Sequence, residues 1–258
     1  MGTSVRWPGP GGNSGIAAEW KRVSKKASDW RPERPDALRR LEEIADDHLR
    51  VLHRTMRDDP DAFGLYEAAH AAGERLTEAM AEFATAESVG DEAMARFVAL
   101  VGGEGGTVAE AAVRRAAAVT IRRVAQTPAG AAGGGWGGGL FGDLFCPIFR
   151  WLFADIVAEF LRAAIAEKIT LLAPALPAVD PENHIATWLA ERVYALVPSP
   201  CEEAERLGGA AAAAEAAETV EDPAGALTGI ARDLLPVAVG RALGLSADGD
   251  GDAGPVAA

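Results

Sequence analysis

The thirty residues from Asp143 to Leu172, DLFCPIFRWLFADIVAEFLRAAIAEKITLL, limit what this chain can fold into more than any other stretch. They follow a run, Gly130 to Gly139, in which seven of ten residues are glycine, and they precede Pro174. Asp143 is a good N-cap residue, and Pro147 falls in a first turn where a missing amide proton costs little, so the pattern predicts a helix over 143–172. At 100° per residue, Asp155, Glu159 and Arg162 share an arc of about 60°. Phe149, Phe153, Ile156, Val157, Phe160, Leu161 and Ile165 cover most of the remaining surface. A helix that is apolar over more than half its circumference must be wrapped by other elements or by lipid.

Magnitudes decide between protein and lipid. From Leu144 to Ile165 there are eleven Leu, Ile, Phe or Val residues, each worth roughly −0.3 to −0.6 kcal/mol on a membrane-insertion scale, or about −5 kcal/mol together. Arg150, Asp155, Glu159 and Arg162 oppose insertion by up to roughly +3 kcal/mol each near the centre. The sum favours a core helix whose charged stripe lies at a groove, at solvent or at a subunit contact.

Composition sets the class around that helix. Among 258 residues Ala, Glu, Arg and Leu are abundant, Tyr occurs twice, and runs of β-branched residues are nearly absent. The expectation is an all-α bundle of about eight helices around the 143–172 helix, with disordered termini. Four lysines against twenty-one arginines fit a GC-rich, bacterial genome. The net charge of −13 argues against general affinity for nucleic acid. It is unevenly spread: residues 1–40 hold nine basic against four acidic side chains, and residues 201–258 hold three against eleven. Such a basic head and acidic tail can meet within one molecule or between neighbours.

Punctuation divides the chain. Residues 1–34 read as a disordered, basic arm, within which 17–28 can form a short helix bearing Trp20, flanked by Trp7 and Trp30. Tryptophan among basic residues can serve phosphate or membrane-surface binding, although docking of those rings on the protein's own core is the simpler expectation. A helical bundle follows over 35–126. Its first helix, opened by Pro35 and Asp36, places Leu38, Leu41, Ile44, Ala45, Leu49, Val51, Leu52 and Met56 on one side and breaks at Asp59–Pro60–Asp61. Ser88 can cap a third helix, and Thr107 to Glu110 is a capping box for a fourth. Residues 127–142 read as a glycine-rich linker, 143–245 as a C-terminal helical region with starts at Pro181, Pro200 and Pro223, and 246–258 as an acidic disordered tail.

No constellation in the sequence specifies a reaction or a cofactor. Glu67 and His70 have the Glu-x-x-His spacing of di-iron bundles but lack the second pair that such sites need. His48, centred on an apolar face, can act as base or ligand, yet such a residue is more often neutral and hydrogen-bonded within a core. These three are the weak metal candidates. The glycine run lacks the Gly-Lys-Ser/Thr of a phosphate loop, and the tail's Asp248, Asp250 and Asp252 lack the glycine and glutamate of a calcium loop. Cys146 and Cys201 form no disulfide framework, no apolar leader follows Met1, and the expectation is a cytoplasmic protein with reduced thiols in mutual contact or separately buried.

The expected function is therefore that of a non-enzymatic interaction or assembly protein, a homo-oligomer or a binder of protein partners through its C-terminal helical region. Trp136, Phe149, Trp151, Phe153 and Phe160 are the residues expected at the contact. Two alternatives stand behind it: a membrane-active protein using the glycine-rich segment and helix 143–172, and a helical metal enzyme using His48 or His70.

Overall fold

The computed structural model describes residues 15–83, 90–127, 140–170, 181–214 and 223–245. Among them are nine α-helices and no strand, the all-α fold that the composition implies. In chain order they are α1 (Gly15–Ser28), α2 (Ala37–Asp58), α3 (Leu65–Phe83), α4 (Asp91–Gly102), α5 (Val108–Gln126), α6 (Leu140–Thr170), α7 (Pro181–Tyr194), α8 (Pro200–Ala214) and α9 (Pro223–Ala242).

Local chemistry sets several of these boundaries. The side chain of Thr107 accepts from the Glu110 amide at 3.1 Å, and Glu110 accepts from the Thr107 amide at 2.7 Å, completing the expected capping box of α5. α2 stops where Asp59 becomes extended ahead of Pro60. A single 3₁₀ turn, Ala62–Gly64, then leads into α3. Phe63 occupies the left-handed region at φ 64°, a conformation that costs a non-glycine residue about 1–3 kcal/mol. Its ring lies 5.9 Å from Trp20 and 5.4 Å from Phe160, so packing holds the turn. α9 closes with Gly244 at φ +71°, the Leu245 amide donating to the Gly240 carbonyl at 2.7 Å. The His53 ring lies where a Cβ on Gly244 would stand, so glycine is required there on two counts.

α6 is the hub. It packs most extensively on α7 and α5 and also meets α1, α2, α3, α8 and α9. One buried apolar cluster runs through residues of both 35–126 and 143–245. The helix begins at Leu140 rather than at Asp143, so Asp143 is not its N-cap and Pro147 lies within it. Residues 15–34 likewise belong to the core rather than to an arm: Trp20 and Trp30 are buried, and their indoles donate to Thr55 Oγ1 and to the Ala37 carbonyl, both at 2.8 Å.

The cysteines are joined. Cys146, in the second turn of α6, forms a disulfide with Cys201, at the start of α8, across 55 residues of sequence. This corrects the expectation of reduced thiols. The two positions share a Cys-next-to-Pro pattern, but nothing in the sequence says that they adjoin.

Candidate functional sites at three helix seams

The apolar side of α6 is enclosed. Phe149, Phe153 and Phe160 are each at most 1 % exposed, and Phe149 packs edge-on against Phe153 at 5.0 Å. They cannot meet a partner in this fold, which corrects their assignment as contact residues. Trp151 is half-buried beneath the Arg123 guanidinium, 5.1 Å from the ring centroid. Trp136 and the glycine run lie outside the described residues. No described helix is long and apolar enough to cross a membrane.

The charged stripe of α6 faces α5 and α7. Asp155 accepts from Thr120 Oγ1 at 3.1 Å and from Arg123 at 3.3 Å. Glu159 accepts from Arg115 at 3.1 Å and from Arg162 at 2.9 Å, and Arg162 also reaches Glu182 on α7 at 2.7 Å. Burial pushes the Asp155 carboxyl up to about 6, against the pull of Arg123 and Thr120. The stripe borders a groove of about 270 Å³ lined by Arg115, Arg122, Glu159, Arg162, Glu182 and Asn183. A groove was among the expected destinations of these charges. Most of them are spent on one another, so the seam is best read as the polar lock between α5, α6 and α7.

The metal candidates are scattered. His48 is 1 % exposed, its Nδ1 donates to the Ile44 carbonyl at 2.7 Å, and burial drives its imidazole down to about 4, which keeps it neutral. Glu67 points to solvent, while His70 stacks on Tyr66 and lies 3.8 Å from Glu74. Among the described residues no three His, Cys, Asp or Glu side chains converge as a metal site requires.

Two surface features were missed in the sequence. The first is an apolar furrow of about 530 Å³ between α4 and α5, with Ile121 as its floor, Met94 and Val98 on one wall, and Ala95, Ala99 and Ala118 leaving room for a close approach. Arg114 and Arg122 border it. They bond to the backbone carbonyls of Gly103 and Ala118, and neither is in an ion pair with another described residue. The second is a cleft of about 580 Å³ between α1 and α2, lined by Arg22, Lys26, Arg50, Arg54 and Arg57 with Glu19 and Asp47. Its signal was available: Arg22 and Lys26 repeat at i,i+4, and Arg50, Arg54 and Arg57 repeat at i,i+4,i+7, but the sequence does not show that the two rows face each other.

No protein-family model, curated protein or solved structure significantly matches this chain, so its function must be argued from these seams alone.

Proposed function

We propose that this is a non-enzymatic assembly protein in which α8 of one copy docks into the α4–α5 furrow of another. The furrow carries the reading: an apolar trough flanked by two arginines without carboxylate partners among the described residues fits a helix with an apolar contact and acidic neighbours. α8 has that chemistry. Leu207 is 42 % exposed on a helix whose first two turns carry Glu202, Glu203 and Glu205, of which Glu203 is paired with Arg206. Within one copy α8 packs on α9 and α6, which leaves the α4–α5 furrow to a neighbour's α8. One side of the contact, α8, lies in the C-terminal helical region, and the other, the α4–α5 furrow, lies in the N-terminal bundle. Two furrows and two helices can close reciprocally into a dimer or run on head-to-tail.

Light scattering at high micromolar concentration tests this. The expected result is a mass above that of one chain, falling to one chain in Val98→Asp and in Leu207→Asp. Arg122→Glu weakens assembly, and adding Glu205→Arg restores part of it. A single-chain mass throughout, or an oligomer indifferent to Val98→Asp, overturns the proposal.

The disulfide bears on where such an assembly works. Thiols in the cytoplasm are held reduced, so the Cys146–Cys201 bond supports an oxidising environment over the cytoplasmic one that the cysteine count suggested. Alkylation of freshly isolated, unreduced protein reads the difference as zero or two modified thiols.

A further inference from the structure

We infer that the cleft between α1 and α2 is a binding site for a small polyphosphate-bearing anion. Five cations converge there from two helices, Arg22 and Lys26 from α1 and Arg50, Arg54 and Arg57 from α2, against only Glu19 and Asp47. The result is a local net charge of +3 on a chain whose net charge is −13. Such a concentration of like charge opposes folding unless something offsets it.

The two acids offset part of it and also aim the cations. Asp47 accepts from Lys26 and from Arg50, each at 2.5 Å, and Glu19 accepts from Arg54 at 2.7 Å. Each acid therefore fixes a cation at the cleft wall, two of the three pairs crossing from one helix to the other. Arg22 and Arg57 are exposed and in no ion pair with any other described residue, so their donors remain for a ligand.

The floor is rigid. Val23 and Val51 lie buried beneath the cleft, and the Trp20 indole, donating to Thr55 Oγ1, ties α1 to α2 one turn away. His53, on the rim, is tied to the end of α9 through Nε2 and the Ala242 carbonyl at 3.1 Å. A guanidinium-lined pocket on fixed helices suits phosphate because the planar fork of arginine gives two parallel hydrogen bonds to one phosphoryl group. The volume is that of a small-molecule site. The charge matches a group with three or four ionised oxygens. Long nucleic acid fits poorly, since the surface beyond the cleft belongs to a strongly acidic chain.

Calorimetric titration of the full chain with inorganic tripolyphosphate tests the site. Expected is saturable one-to-one binding that weakens with added salt and falls about tenfold in Arg22→Gln and again in Arg57→Gln. Both positions are exposed, so these variants keep their unfolding midpoint without ligand, and the rise of that midpoint with tripolyphosphate is smaller in each single variant and smallest in the double variant. Absence of binding, equal binding by the double variant, or a single-stranded oligonucleotide binding more tightly than tripolyphosphate overturns the inference.

Discussion

At the residue scale, two buried ionisable groups pull the pH dependence of stability in opposite directions. Asp155 is shifted up to about 6 from 3.8, so between those values the folded chain holds a proton that the unfolded chain has released. Its contribution to stability is therefore present below about pH 4 and is lost as pH rises through 6. His48 is shifted down to about 4 from 6.5, so over the same window the unfolded chain binds the extra proton and stability grows with pH. The two slopes offset each other in the wild type. Asp155→Asn keeps an acceptor for Thr120 and removes the first slope. Relative to wild type, its urea midpoint should rise between pH 4 and pH 6. Parallel profiles for the two proteins would show that Asp155 does not titrate in that range.

At the element scale, close approach of helices depends on missing side-chain atoms. A Cβ on Gly73 of α3 would lie 2.4 Å from Leu235 Cδ2 on α9 and 2.9 Å from the tip of the Phe153 ring on α6. Leu235 and Phe153 are both buried, so neither can swing away freely. Gly73→Ala gains helix propensity of about 1 kcal/mol but overpacks a three-helix junction at about 1–3 kcal/mol. The net expectation is a destabilised protein with a lower denaturant midpoint; a midpoint at or above wild type would mean that α9 sits further from α3. The elements themselves were readable because each leaves local traces. Thr107 and Glu110 announce α5, the apolar spacing from Leu41 to Met56 gives α2, and the apolar breadth of α6 requires that it be wrapped. Which helices do the wrapping depends on contacts distant in sequence. That is why Gly73, which looks like an ordinary helix-weakening residue, turns out to be a contact point, and why the facing rows of cations on α1 and α2 went unseen.

At the scale of the whole molecule, the Cys146–Cys201 bond joins the hub to α8, and α8 meets the rest of the fold chiefly through α9. Closing a loop of 55 residues restricts the unfolded chain by about 4 kcal/mol in the chain-entropy treatment. Reduction should lower the unfolding free energy by that order while α6 stays helical. A reduced protein with unchanged stability would show that the bond constrains little. The charged stripe of α6 shows how far sequence reasoning reached: Asp155, Glu159 and Arg162, with Arg150, weighed against lipid by their charge, but the stripe's partners Arg115, Thr120, Arg123 and Glu182 come from two other helices. The same limit explains Phe149, Phe153 and Phe160, whose apolar face requires a cover without indicating that the chain supplies it itself.

Everything proposed for the surface rests on α6 being sheathed by its own chain, with Asp155, Glu159 and Arg162 paired inside. Hydrogen exchange along that helix in dilute aqueous buffer tests this most directly. The expected result is that amides between Phe149 and Ile165 exchange only through global unfolding, as the slowest in the protein, and are unaffected by anionic vesicles. Exchange within seconds in buffer, or protection that arises only when lipid is added, would contradict it.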